Sequence, residues 1–438
     1  MKNSTTAGAQ EGTISTSRRA FLKRSTTAVA GSLVTGLSIA HSANVAGSDA
    51  IRVGLVGCGG RGTGAATQVL NADRGARLVA MSDAFHDRLQ TSLRSMKQQE
   101  DIRDRVLVDS DHQFTGFDGY QRVIASDVDV VLLATPPHFR PMHLKACIEA
   151  GKHVFAEKPV AVDAPGVRSV LETTELAKEK NLCIVSGLNG RYSPVLQEIV
   201  RRIQDGAVGK IVTLHAARYG GGVWVRPRKP GMTDMQYQMR NWYYFTWLSG
   251  DFNVEQFVHQ LDRMAWIMKD QHPVRCYSTG GRQARTSPDH GHIYDHFSSV
   301  FEYPQGVRVF TTTRHQRGCT SESQANVMGT KGIADLQAGT ITGENPWQAA
   351  RRGRINSHQL EQDAFLAALR AGKVINNGDY MAKSTLMAIM SRMSAYTGRS
   401  LTWEQVLNSK EDLSPSGYTW DAEPPQAEVA VPGVTKFV

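Results

Sequence analysis

Apolar residues come first as short, nearly unbroken runs. Ile51–Val56 (IRVGLV), Ala76–Asp83 (ARLVAMSD), Val128–Ala134 (VDVVLLA) and His153–Ala156 each have strand length, and LCIVSGL at 182–188 is a further run of the same kind. Stretches of helical period separate them, TGAATQVLNAD after the first run and 141–150 before Gly151. Strands with almost no polar residues, alternating with helices, predict a parallel sheet covered on both faces. The pattern then changes. Val254, Val258, Leu261, Ala265 and Met268 recur at spacings of 4, 3, 4 and 3, which predicts one amphipathic helix over Phe252–Met268. Two more helical runs, 357–371 and 380–396, are expected to pack back on the body of the protein, and a Pro-rich tail from Pro424 to run as an extended arm.

The N-terminus stands apart from this rhythm. Ser17-Arg18-Arg19-Ala20-Phe21-Leu22-Lys23 has the twin-arginine export pattern, followed by a mildly apolar segment, Thr26 to Ala40. Residues 1–46 therefore read as a twin-arginine signal peptide and linker. The partner this implies is the twin-arginine export machinery, and the location periplasmic, or membrane-anchored where the leader stays on. No other run is long enough to span a bilayer. The leader also explains much of the formal charge of +9: it carries +4, leaving +5 on the other 392 residues. So small an excess gives no signal for a nucleic-acid partner. The five cysteines are widely spaced with no C-x-x-C pair, so neither a zinc ribbon nor a disulfide framework is expected.

The first strand runs into Gly57-Cys58-Gly59-Gly60-Arg61-Gly62, a G-x-G-x-x-G turn that opens a helix. Gly57 permits the tight turn, Gly59 lets backbone approach a pyrophosphate, and Gly62 lets helix and strand pack closely. The helix start adds unpaired N–H groups for the phosphates. Asp83, twenty-one residues past Gly62, ends the second strand, where a carboxylate accepts both adenosine-ribose hydroxyls and favours NAD. Arg88 and His86 nearby leave NADP open. Ligands of such sheets lie beyond the carboxyl ends of the strands, where Thr135, Pro136, His138, Glu157 and Lys158 fall.

Beside the glycine turn, the TPP loop at 135–137, AGKHVFAEKP at 150–159, GLNGRYSP at 187–194, the Glu255/His259/Asp262 helix and VMGTKG at 327–332 resemble the glucose–fructose oxidoreductase / inositol dehydrogenase / MocA family. The resemblance implies an α/β protein with a Rossmann dinucleotide-binding domain, here 50–188. A C-terminal α/β domain would follow over 189–438, for substrate binding and oligomerisation, with an open, mostly antiparallel sheet. It implies NAD, a homo-oligomer (dimer or tetramer), Lys158 orienting the reacting hydroxyl and His259 exchanging its proton; export away from any free dinucleotide pool implies in addition that the cofactor is held tightly.

The residue types suit those roles. A lysine at a strand's carboxyl end steadies an alkoxide-like oxygen, although a surface pair with Glu157 is the plainer reading. Glu255, His259 and Asp262 share a helix face, where a carboxylate would raise the imidazole pKa; a solvated face is the plainer reading here too. Family dehydrogenases commonly have Asp where Glu255 stands, and a histidine where Arg140 stands. Substrate is expected at Arg191, Tyr192, Trp242, Asp262, His292 and Tyr294. Of these, Trp242 lies in the aromatic run NWYYFTW, which suits either a sugar or a packed interface. His292 and Tyr294 alternate as one strand face would, in a segment with no complete metal-ligand set, so no metal is expected.

Three functions remain: an exported NAD(P)-dependent oxidoreductase acting on a sugar or polyol hydroxyl; a glycosidase resembling glycoside hydrolase family 109, using transient C3 oxidation; and a non-catalytic sugar-binding module.

Overall fold

The computed structural model describes residues 50–350, 356–426 and 428–438; the twin-arginine segment lies outside the described residues. Six strands, β1 (Ile51–Val56), β2 (Ala76–Asp83), β3 (Gln113–Thr115), β4 (Val130–Leu133), β5 (His153–Ala156) and β6 (Ile184–Ser186), form one sheet in the order β3-β2-β1-β4-β5-β6. Every pairing in it is parallel. The four runs expected as strands are strands, because Val53, Leu55, Leu78, Leu132 and Phe155 are buried on both sides by helices. Strand order reverses direction between β1 and β4, so the crevice beyond their carboxyl ends is the natural ligand position.

The second sheet has nine strands: β7 (Ile211–Gly220), β8 (Arg275–Gly281), β9 (His296–Glu302), β10 (Arg308–His315), β11 (Glu322–Gly329), β12 (Gly332–Asp335), β13 (Thr340–Gly343), β14 (Trp347–Gln348) and β15 (Leu401–Thr402). The order is β14-β13-β12-β11-β7-β10-β9-β8-β15, antiparallel except for the parallel pair β7–β10. Its inner face, with Leu214, Val309, Val327 and Phe301, shares a core with Leu261, Met264, Leu386 and Met390 of the helices Val258–Ile267 and Gly378–Thr397. The opposite face leaves Tyr277 42%, Phe310 42%, Met328 39% and Ile333 47% exposed.

The helix Ser357–Arg370 returns to the first sheet. Phe365 and Leu366 join the core of Leu55 and Val69, and Arg370 pairs with Asp73 at 2.7 Å. The C-terminal segment thus helps to build the dinucleotide-binding layer.

Two expected elements differ. The helix over Phe252–Met268 is two helices, Phe252–Glu255 and Val258–Ile267, because Phe257 N–H reaches back to Phe252 O (3.4 Å), one residue further than an α-turn. His292 and Tyr294 lie in no strand: Tyr294 N–H donates to Asp251 Oδ2 (2.9 Å), and Asp295 Oδ2 accepts from the N–H groups of Gln283, Ala284 and Arg285. Those bonds replace a ladder, and β9 starts only at His296.

Candidate functional site

The glycine turn is fixed by close backbone approach. Gly57 has φ +98°, and a Cβ there would sit 2.6 Å from Ala134 C and Thr135 N; at Gly62 it would sit 1.9 Å from Gly57 O. Gly59 and Gly60 have nothing within 4 Å of such a carbon. The helix Gly60–Ala72 begins with no side-chain cap and no acidic residue in its first turn, so its leading N–H groups face open space. A cavity of about 520 Å³ lies in front of them, reaching from Asp83, Phe85 and Arg88 past the turn to Thr135 and Pro136. Asp83 is held at the end of β2 by Cys58 N–H (2.7 Å) and Phe85 N–H (2.9 Å). Its oxygens keep further lone pairs for a ribose. Bare amides, an open glycine cradle and a fixed carboxylate fit the pyrophosphate and adenosine of a dinucleotide.

The far wall of this cavity was not anticipated. Trp224, Arg226 and Arg240 face the glycine turn alongside Trp242. Arg240 forms a bidentate pair with Asp87 (2.7 and 2.8 Å) and lies over the Phe85 ring at 3.9 Å. The basic, aromatic stretch VWVRPRK at 223–229 was the only sequence signal, since it has no period.

At the end of β5, Lys158 Nζ donates to Glu255 O (2.7 Å) and to Glu255 Oε1 (3.0 Å). Both side chains are largely enclosed, 14% and 16% exposed. Glu157 is occupied elsewhere, paired with Arg61, which also reaches Glu361 (3.1 Å). Arg61, proposed from sequence for the cofactor, thus lines the cavity while committed to two carboxylates. Arg140 lies fully buried and donates to Thr135 O (2.7 Å) and Leu133 O (3.2 Å); burial pushes its pKa down to about 10.

His259 follows on the next helix. Its ring has no hydrogen-bond partner among the described residues. Burial, then the positive charges of Lys158, Arg263, His358 and Arg218, hold its pKa well below the ordinary imidazole value. This corrects the expectation of a raised pKa: Glu255 gives its charge to Lys158, and the break after Glu255 removes the simple i, i+4 relation. A neutral imidazole beside a fixed ammonium can accept a proton while the ammonium holds an oxygen.

The other expected substrate residues scatter. Asp262 accepts from Arg191 (2.8–3.1 Å) and Ser384 (2.9 Å), and Arg191 also pairs with Asp270 and covers the Tyr380 ring at 3.7 Å. Tyr192 donates to Asn377 (2.8 Å). His292 Nε2 accepts from Thr246 N–H (2.9 Å), its pKa pushed by burial down to about 4, and Tyr294 donates to Ala430 O (2.8 Å). These five side chains brace the structure rather than face a ligand. His138 likewise is turned from the dinucleotide cavity to Tyr418 (2.9 Å) and the Trp247 ring. Trp242 lines the cavity, on the side of Trp224 and Arg240. Among the described residues no group of three His, Cys, Asp or Glu side chains is placed for a metal ion.

Comparison with known proteins matches this arrangement. The family model "Oxidoreductase family, NAD-binding Rossmann fold" covers residues 51–188, and "GFO/IDH/MocA C-terminal domain" covers 196–335. The chain is 26% identical over 338 residues to inositol 2-dehydrogenase of Burkholderia cenocepacia, spanning 74% of this chain and 87% of that protein. In fold it is similar to myo-inositol 2-dehydrogenase from Lactobacillus plantarum (TM-score 0.61, 18% identity, 81% of this chain and 99% of that one). It is equally similar to aldose-aldose oxidoreductase from Caulobacter crescentus (TM-score 0.61, 17% identity, 81% and 99%).

Proposed function

The chain belongs to the GFO/IDH/MocA family of NAD-dependent oxidoreductases acting on CH–OH groups, and from that premise we propose that it oxidises or reduces a sugar, polyol or related carbohydrate. The observation that carries the reading is the Lys158 ammonium, held by Glu255 at the carboxyl end of β5, with the neutral His259 imidazole in its field. Gly57, Gly59, Gly60 and Gly62 would cradle the pyrophosphate, Asp83 the adenosine ribose, and Thr135 and Pro136 the cavity's other end. Bound NAD supplies a hydride acceptor for the carbinol carbon. Lys158 holds the substrate oxygen as its electron density rises, and His259 takes the hydroxyl proton on a ring nitrogen. Glu255 positions Lys158 and offsets its charge. The inositol dehydrogenase and aldose oxidoreductase relatives support a polyhydroxylated substrate.

The twin-arginine leader supports export after folding, to the periplasm, with the cofactor carried along. A cavity walled on both sides supports tight retention of that cofactor. The uncovered face of the nine-stranded sheet, with Phe310 and Ile333 at its surface, supports a homo-oligomer.

The test is mass spectrometry of the small molecules released when freshly purified protein is denatured, followed by nicotinamide absorbance as sugars and glycosides are added. NAD or NADH in the released fraction, and a nicotinamide band that changes with a sugar, is the expected result. Glycoside cleavage without net redox change would replace this reading with the glycosidase, and silence toward every sugar would leave the binding module.

A further inference from the structure

A second cavity, of about 390 Å³, opens where β7 ends, with Arg218, Gln256, His315, Glu322 and Ser323 in its lining. It adjoins the seam that carries His259. Gln256 precedes His259 by three residues, and Gln260, its immediate neighbour, donates to Ser323 Oγ at 3.0 Å. Tyr243 donates to Gln256 Oε1 (3.2 Å), which fixes the amide at the cavity edge.

Two guanidiniums at or near this cavity, Arg218 and Arg263, form no ion pair among the described residues. Arg218 is exposed, and its guanidinium has neither an ion pair nor a hydrogen bond among the described residues. It is near enough to His259 to oppose protonation of the ring, as are Arg263 and Lys158. Lys158 has Glu255 as its counter-ion. Among the described residues Arg263 donates to the amides of Gln260 (3.1 Å) and Gln337 (3.2 Å), and Asp262, the acid whose charge acts on it, is taken by Arg191. Glu322 lines the cavity too, but it does not serve Arg218. In the β7–β11 register Arg218 pairs with Ser323, whereas Glu322 pairs with Tyr219, and the Glu322 carboxylate accepts from Gln324 and forms no ion pair with Arg218 among the described residues. The cavity therefore offers an unpaired guanidinium with amide and hydroxyl groups beside it.

We infer that the substrate is a carbohydrate acid, a uronate or an aldonate, whose carboxylate binds Arg218 while the hydroxyl to be oxidised lies at Lys158 and His259. The planar guanidinium matches a carboxylate bidentately, which also fixes the sugar's orientation in a way a neutral hydroxyl would not. The arriving negative charge offsets the field that depresses His259, making the base stronger when substrate is present. The inference rests on the oxidoreductase reading and narrows its substrate class.

The test uses the full chain with its cofactor, and compares glucuronate and gluconate with glucose and with the methyl ester of glucuronate, the uncharged near-isostere. The acids should exceed the ester in kcat/KM by about tenfold to a hundredfold, the size of one charge-assisted hydrogen bond. Their KM should rise with salt. Arg218→Gln should abolish the preference for acid over ester, mainly through KM, and calorimetric binding of glucuronate should weaken in parallel. Turnover of neutral sugars with no preference for the acids would overturn this inference and leave the oxidoreductase reading standing. A preference that survives in Arg218→Gln would overturn the assignment to Arg218. No redox response to acid or neutral sugar would overturn both.

Discussion

The two cavities are built on different principles. The larger one offers backbone along its near wall, with bare amides at a helix start, a carbonyl 1.9 Å from where a Gly62 side chain would be, and one aspartate at the end of β2, while Trp224, Arg226, Arg240 and Trp242 form its far wall. The smaller one, where β7 ends, offers side chains of Arg218 from β7, His315 from β10, Ser323 from β11 and Gln256 at the helix break, beside the glycines 220–222. Backbone sites bind groups common to many ligands, because every chain has amides to offer. Side-chain sites select among ligands, because each position can change without disturbing the fold. That contrast underlies both proposals, the shared cofactor in the first cavity and the individual substrate in the second.

The strongest way to break that contrast is Gly62→Ala. The new methyl meets Gly57 O, a backbone atom that cannot swing aside as a long side chain would. NAD binding should fall by about a hundredfold, the upper end of the roughly 1–3 kcal/mol that a backbone shift forced by overpacking costs. Fluorescence titration with NADH, alongside a thermal melt, measures it. Ordinary affinity in the variant would show that the turn is not what shapes the cavity.

His259→Gln probes the other principle. Turnover should fall on the order of 10²- to 10⁴-fold, as for loss of a general base, while NADH affinity stays within about threefold. The wild-type pH profile carries a sign as well. A base works only when deprotonated, so kcat/KM falls as pH drops through its pKa. Burial and neighbouring cations depress the pKa of His259, so the acid limb should lie below the ordinary imidazole value of 6.5. An acid limb above that value would mean that the base is another group.

The same division decides what the sequence discloses. The glycine turn, Asp83 and the apolar strands were legible because their physical requirements fall on neighbouring residues: a turn, a helix start, a buried run. Lys158 and His259 were found through the family resemblance, and the structure brings them into one electrostatic neighbourhood. The partner of Glu255 was misread because the helical period of Val254–Met268 continues through a break that only the Phe257–Phe252 bond discloses. Arg191, Asp262, His292 and Tyr294 look like ligand-binding residues by type. They brace the structure because each meets a partner from a distant segment, as the Arg191 guanidinium meets Asp262 and the Tyr294 hydroxyl meets Ala430 O. Nothing in a single sequence encodes such partners. Arg218 and Arg226 drew no notice for the converse reason: their significance lies in what does not pair with Arg218 and in the wall Arg226 faces.

His138 gives the smallest effect and the finest test of where the boundary between the two regions runs. By sequence it belongs to the cofactor's loop; in the structure it faces Tyr418 and Trp247 in the aromatic seam. Burial pushes its pKa down to about 4, with only Asp412 opposing. Between that value and the unfolded value near 6.5 the native protein binds fewer protons than the unfolded chain, so stability rises with pH across this window. The contribution is fully present above 6.5 and is lost as pH falls through 4. At pH 4.5 the loss should be about 2 kcal/mol for this one residue. His143 and His292, also depressed by burial, add to the acid sensitivity of the whole. Denaturant melts of wild type and His138→Phe at pH 7.5 and 4.5 measure the share: the variant should lose less stability on acidification, with or without saturating NAD. If NAD changed that share, the imidazole would be exchanging protons under the influence of the ligand. His138 would then be part of the backbone-built cavity after all.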